Sequence, residues 1–169
     1  MKLMELNALQ PEQARDALER CCGASAWVDS MVASRPFADR DALFAASDRA
    51  ARALTRQDWL EAFACHPRIG DAASLRGKFT DTADWAESEQ RGAVGAAAPV
   101  LEALARGNQA YERRFGYIFI VCATGWRADE MLAMLETRLS NDPERELSIA
   151  AAEQMQITRL RLDKLLEGS

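Results

Sequence analysis

Thr55-Arg56-Gln57-Asp58-Trp59-Leu60-Glu61-Ala62-Phe63-Ala64-Cys65-His66-Pro67-Arg68-Ile69-Gly70 holds both the pattern that recurs through this chain and its one histidine. Thr55 suits an N-cap, because its hydroxyl can accept from an unsatisfied backbone N–H of the first turn, and Asp58 follows three residues later. Trp59, Leu60 and Phe63 recur at the spacing of one helical face and predict a buried stripe. His66 falls where that helix must end. Pro67 fixes its own backbone and biases His66 away from the α region, and Gly70 permits an unusual turn or the close approach of a ligand. An unperturbed imidazole titrates at about 6.5, so a sole histidine at a helix end is a candidate proton donor or acceptor. The competing reading is a histidine that finishes a helix or satisfies a buried partner.

Working outward, abundant alanine and apolar recurrence at three and four residues make nearly the whole chain read as helix. Pro11 suits a first helical position and opens a segment with Ala14, Leu18, Cys21 and Cys22 on one side, until Gly23 supplies a stop. A second helix carries Trp27, Val28, Met31 and Val32 and closes at Arg35-Pro36, and a third carries Leu43, Ala46, Ala50 and Leu54. Residues 67–82 lose the pattern and read as a long surface loop. Helix resumes around Trp85 through Glu89 and Gln90, and Gly92, Gly95 and Pro99 bend or interrupt it. The next helix carries Leu101, Leu104, Ala105, Tyr111 and Phe115 and stops near Gly116. Residues 117–123 are aromatic and β-branched and favour extended backbone, but a single such piece makes no sheet. Two helices finish the chain, one with Met131, Leu132, Leu135 and Leu139, the other opening at Asp142-Pro143 and carrying Leu147, Ile157, Leu160 and Leu165. The expected architecture is an all-α, single-domain helical bundle of about seven to nine helices over residues 1–169, with a short extended segment near 117–123. No internal repeat or domain linker is visible.

The 169 residues suffice for one substantial apolar core. A formal net charge of −5 argues against an extended phosphate-binding surface, so nucleic acid is not an expected partner. No segment approaches the roughly 18 uninterrupted apolar residues of a membrane span, and Met1-Lys2-Leu3-Met4-Glu5 begins no secretory apolar region. The expectation is a soluble, cytoplasmic protein with no membrane partner. Cys21, Cys22, Cys65 and Cys122 have no CxxC spacing and lie among apolar residues, which predicts reduced packing thiols. One histidine and unspaced cysteines give no recognisable metal-ligand set, and no glycine-rich strand-to-helix loop cradles a phosphate.

Beside His66, a few residues are candidates for chemistry, each with an ordinary alternative. Glu89 and Gln90 are adjacent on a helix and so point about 100° apart; one can face a cavity while the other packs, or both can be solvated. Arg159 and Arg161 lie in an apolar helix, where arginine either grips a carboxylate or lays its stem along the core with its head in water. Cys65 adjoins His66, although sequence neighbours rarely form the hydrogen bond that activates a thiol.

His66-Pro67-Arg68-Ile69-Gly70, preceded by Trp59-Leu60-Glu61-Ala62-Phe63, resembles the signature of the 2-oxo-4-hydroxy-4-carboxy-5-ureidoimidazoline (OHCU) decarboxylase family. The resemblance extends through Cys21-Cys22-Gly23 with Trp27, Arg35-Pro36-Phe37, and Trp85 with Glu89-Gln90. It continues in Phe115-Gly116-Tyr117, Phe119-Ile120-Val121-Cys122-Ala123, Arg138-Leu139 with Asn141, and Arg161-Leu162. That family carries out the last step from urate to (S)-allantoin.

The resemblance implies roles. His66 becomes the catalytic imidazole, oriented and polarised by Glu89, and Pro67 contributes to the substrate pocket. Gln90 hydrogen-bonds an amide-like edge of the substrate, and the backbone of Phe119, Ile120, Val121, Cys122 and Ala123 offers donors and acceptors to the ureido group or ring. Arg161 grips the carboxylate, with neighbouring Arg159 as the alternative. Ala86 occupies a substrate-binding position where the family has serine, so a hydroxyl contact is absent or is replaced by Ser88 or water. Trp126 also departs from the small or basic residue usual at its position. The resemblance further implies no metal and no organic cofactor, a small purine-derived substrate, and a homodimer. Two rivals stand beside it: a non-catalytic helical interaction module, and a thiol-dependent enzyme using Cys65 or Cys122.

Overall fold

A computed structural model describes residues 1–68 and 98–167. Among them are eight α-helices and no strand: α1 (Leu3–Ala8), α2 (Pro11–Glu19), α3 (Ser25–Ala33), α4 (Arg40–Arg52), α5 (Arg56–Ala64), α6 (Ala98–Phe115), α7 (Ala128–Arg138) and α8 (Pro143–Glu167). The chain is therefore all-α, as its periodicity predicts. Residues 118–123, between α6 and α7, are neither helical nor paired in a ladder. The described chain divides into two compact units, Met1–Ala62 with Gln154–Ser169, and Phe63–Glu153, and the division falls inside α5 and α8.

In the first unit local signals set the helix starts, Pro11 and Thr55 with Asp58 as the sequence predicts and Asp39 besides. Pro11 is the first residue of α2, where its missing N–H costs nothing. Asp39 caps α4 by accepting from the Ala42 N–H at 2.7 Å. At the head of α5, Asp58 Oδ2 accepts from the Thr55 N–H at 2.7 Å, and the Asp58 N–H reaches back to Thr55 Oγ1 at 3.3 Å. This reciprocal box satisfies two groups that a helix start otherwise leaves to water. The Thr55 hydroxyl, which donates to Asp58 Oδ2 at 2.6 Å, and after it the Thr55 N–H hold the Asp58 carboxyl below its ordinary range.

Leu6, Leu18, Trp27, Met31 and Leu43 are fully enclosed and form the centre of this unit, each contributing about 1.5–3 kcal/mol by leaving water. The indole N–H of Trp27 donates to Ser47 at 3.3 Å, so burial of the ring leaves no polar atom stranded. α1 has no clear sequence signal, because six residues carry too little periodicity. Tertiary bonds secure it: Asn7 exchanges hydrogen bonds with the Phe37 backbone at 2.8 and 2.9 Å, and Arg35 donates to the carbonyls of Leu6 and Leu9 at 2.9 and 2.8 Å. Arg35-Pro36-Phe37 is thus a fastening for the N-terminus. Cys21 and Cys22 lie beyond α2, which stops at Glu19 before reaching Gly23, yet both are buried.

The second unit is built around rings. Tyr111 meets Phe119 edge-on at 5.3 Å and Tyr117 at 5.8 Å, and Phe63, from the last turn of α5, meets Tyr117 at 5.1 Å. Gly116 ends α6 with φ of 81°, a conformation open to glycine, and donates its N–H to the Glu112 carbonyl at 2.9 Å. Gly107 lets α6 approach α7 closely, since a Cβ there would run into the buried side chain of Leu135. At the start of α8, Asp142 Oδ1 accepts from the N–H groups of Glu144 and Arg145 at 3.0 and 3.3 Å, with Pro143 first in the helix.

The predicted stripes are correct in direction and too wide. Phe63 and Ala62 are buried while Trp59 and Leu60 are half-buried, and Ala105 is exposed. Cys65 is exposed as well, so it is not a packing thiol; Cys21, Cys22 and Cys122 are.

Candidate active site

The second unit holds His66 in a short, anchored stretch. Half-buried, it lies two residues past α5, and its backbone N–H donates to the Phe63 carbonyl at 3.1 Å. Pro67 is buried. Arg68 then forks onto Glu112 of α6, with Nε to Oε2 at 3.1 Å and Nη2 to Oε1 at 2.8 Å. A two-pronged guanidinium–carboxylate pair fixes direction as well as distance. The imidazole therefore stands on backbone held by a turn before it and an ion pair after it, and Phe63 links that backbone to the ring cluster.

The same cluster carries Phe119, the first residue of the segment expected to meet a substrate. Phe119, Ile120, Val121, Cys122 and Ala123 are all buried, and the structure has already assigned several of their polar groups. The Ile120 carbonyl accepts from Arg138 Nη1 at 2.9 Å, the Cys122 N–H donates to Glu153 Oε2 at 2.7 Å, and the Ala123 carbonyl accepts from the Trp126 N–H at 3.1 Å. Among the described residues, none bonds the backbone N–H or carbonyl of Phe119 or Val121. The expectation of a whole backbone segment open to a ligand narrows accordingly, with Phe119 and Val121 the two residues whose N–H and carbonyl are both left. Buried peptide groups are almost always paired, which makes this the part of the unit suited to receive an outside donor and acceptor.

Behind the segment lies a buried ionic network that the sequence does not announce. Arg138, at the end of α7, pairs with Glu146 in the first turn of α8, with Nε donating to Oε1 at 2.8 Å. The Tyr111 hydroxyl also donates to Glu146 Oε1, and Asn141 Nδ2 donates to Oε2 at 2.7 Å. The Arg138 guanidinium lies over the Phe119 ring at 4.7 Å. Burial first, and the bond to Glu146 second, push the Tyr111 phenol above its ordinary value, so it stays a donor at neutral pH. A glutamate in the first turn of a helix usually reads as a solvated partner of the helix dipole. The only hint of a different role is the recurrence of Arg138 and Asn141 in the family pattern.

The first unit holds the two candidate arginines, and it separates them. Arg159 is exposed, with its guanidinium stacked over Phe44 at 4.0 Å. Arg161 is buried, and its Nη1 donates to the Arg20 carbonyl at 3.4 Å, longer than a well-formed bond of this type. Glu89, Gln90 and Ala86 lie outside the described residues. Among those described, no group of three or more His, Cys, Asp or Glu side chains is gathered to hold a metal.

Comparison with known proteins places the chain in a family. The family model for OHCU decarboxylase matches residues 7–163. The uric acid degradation bifunctional protein TTL of Arabidopsis thaliana is 41% identical over 155 residues, 91% of this chain, which spans 48% of that longer relative. The 2-oxo-4-hydroxy-4-carboxy-5-ureidoimidazoline decarboxylase of Haloferax volcanii is 28% identical over 96% of this chain and 94% of its own length. A crystal structure of OHCU decarboxylase in the presence of (S)-allantoin superimposes with a TM-score of 0.74 at 37% identity, covering 90% of this chain and 99% of that one. A crystal structure of (S)-allantoin synthase, at 18% identity and a TM-score of 0.71, shares the fold. With a family model matching residues 7–163, almost from end to end, the chain belongs to the OHCU decarboxylase family.

Proposed function

We propose that this chain decarboxylates 2-oxo-4-hydroxy-4-carboxy-5-ureidoimidazoline to (S)-allantoin, the closing step of urate oxidation. The observation that carries the reading is the anchored His66, set on the same ring cluster as a buried backbone segment whose Val121 and Phe119 peptide groups are unclaimed among the described residues. Breaking the C–CO2 bond leaves an electron pair on the ring carbon, and the adjoining imine accepts it, so the substrate contains its own electron sink and no metal or organic cofactor is called for. What remains is to place charge and protons. His66, oriented by Glu89, polarises the hydroxyl on the carbon that loses carbon dioxide and takes part in proton transfer as the carboxyl group departs. Delivery to one ring face sets the S configuration. Gln90 and the Val121 backbone hold the amide-like edges, with Pro67 and the position of Ala86 shaping the pocket.

Arg161 grips the departing carboxylate. Its burial, and the stacking of Arg159 on Phe44, favour it over its neighbour. Arg161→Ala raises KM by about tenfold or more, since a hydrogen-bonded charge contributes on the order of 1.5–3 kcal/mol. An unchanged KM transfers the role to Arg159.

The decisive experiment supplies substrate freshly generated from urate and follows two signals together, the decay of its ultraviolet absorption and the growth of circular dichroism. Faster decay with chirality supports the reaction; decay at the spontaneous rate to a racemate removes it. The same assay judges the thiol alternative, which the exposure of Cys65 keeps open. Cys65→Ser retains turnover within about twofold if the imidazole leads, and abolishes it if the thiol does. Residues 1–169 acting as a single domain, as a homodimer in the cytoplasm, complete the proposal; no described helix is long and apolar enough to cross a membrane.

A further inference from the structure

Two carboxylates on α8 converge on the same short piece of backbone. Glu146 and Glu153 are seven residues apart, close to two helical turns, so they leave the helix on one side about 10 Å apart. Glu146 holds Arg138, which donates to the Ile120 carbonyl at 2.9 Å; Glu153 accepts the Cys122 N–H directly at 2.7 Å. These two bonds belong to the two peptide planes that flank Val121.

In a trans peptide the carbonyl and the N–H of one plane point in opposite directions. Arg138 on the Ile120 carbonyl therefore turns the Val121 N–H away from itself, and Glu153 on the Cys122 N–H turns the Val121 carbonyl away in the same sense. One residue then presents a donor and an acceptor side by side on the edge opposite both clamps. That is the arrangement with which a strand edge receives its neighbour, and it complements a ureido or cyclic amide edge, which carries C=O next to N–H. A carboxylate suits the clamp position because it is acceptor-only. Its charge also polarises the bonded peptide, which makes the Val121 carbonyl a better acceptor on the far side.

We infer that Glu153 is a positioning residue for the proposed decarboxylation: it touches no substrate atom, and it fixes the peptide plane whose carbonyl, together with the Val121 N–H, receives the amide edge of the substrate. The inference rests on that reaction. A purely structural Glu153 would secure the coil to α8 and affect the folded fraction alone.

The test compares the full chain with Glu153→Gln and Glu153→Ala, using substrate freshly generated from urate, with thermal midpoints recorded alongside. Glutamine keeps a carbonyl oxygen for the Cys122 N–H, and alanine keeps nothing. Glu153→Ala raises KM about tenfold, the size expected for losing a hydrogen bond to a charged group, and Glu153→Gln recovers KM to within about threefold of the parent. In 15N-labelled protein the Cys122 amide proton moves upfield in the alanine variant, reporting the bond itself. A folded Glu153→Ala with the parent's KM overturns the inference, as does a glutamine variant as impaired as alanine or a Cys122 amide that does not move. A parent chain that neither hastens decay nor yields chirality fails the reaction itself and removes the role with it, an outcome distinct from an active parent matched by Glu153→Ala.

Discussion

Replacing His66 by alanine lowers turnover by about 10² or more and leaves the fold intact, the loss expected when a positioned acid–base group is removed. The fold is spared because the backbone at this point is secured by groups other than the imidazole. The His66 N–H is held by the Phe63 carbonyl at 3.1 Å, Pro67 sets the next dihedral, and Arg68 is forked onto Glu112. Circular dichroism at far-ultraviolet wavelengths and the unfolding midpoint therefore stay at parent values while the decay assay slows. His66→Asn, which keeps a polar group but cannot shuttle a proton at neutral pH, is impaired to a similar degree. Near-normal turnover in His66→Ala would remove the imidazole from the mechanism.

Glu146→Ala destabilises the chain by about 3–5 kcal/mol, a large share of the roughly 5–15 kcal/mol that holds a domain together. The reason is the company Glu146 keeps. Its side chain is 0% exposed and that of Arg138 is 7% exposed, so truncation leaves a nearly buried guanidinium without its counter-charge. The Tyr111 hydroxyl and the Asn141 amide lose their acceptor in the same step. Urea unfolding measures the loss, and Glu112→Ala supplies the contrast. The Arg68–Glu112 pair has side chains 45% and 33% exposed, and solvent screening limits its contribution to about 0–1 kcal/mol. Equal losses in the two variants would show that burial does not govern the Arg138–Glu146 pair.

Interactions between near neighbours are written in contiguous sequence, and those are the ones the sequence makes legible. Thr55 with Asp58, Pro11, Asp142-Pro143 and Gly116 set helix ends through contacts spanning two to four residues, and each sits where its chemistry predicts. The place of His66 just beyond α5 follows from the same kind of signal. The breadth of the buried faces is less legible: Ala105 fits the helical period and is exposed, because periodicity names a direction and neighbouring elements decide how much of it they cover. Residues 118–123 are not helical and pair in no ladder, and the groups that hold their peptides, Arg138 and Glu153, lie 18 and 31 residues away from their partners in sequence.

By itself, then, the sequence determines that this chain is helical, where most of its helices begin and end, and which family pattern surrounds its one histidine. Only the tertiary structure decides that Glu146 and Arg138 are buried together, that Arg159 is spent on Phe44 while Arg161 lies inside, and that Glu153 takes the Cys122 N–H. The physical reason is that a charged side chain carries no mark of its final surroundings. Glutamate in a first helical turn is the same residue whether water or a guanidinium receives it, and packing makes that choice.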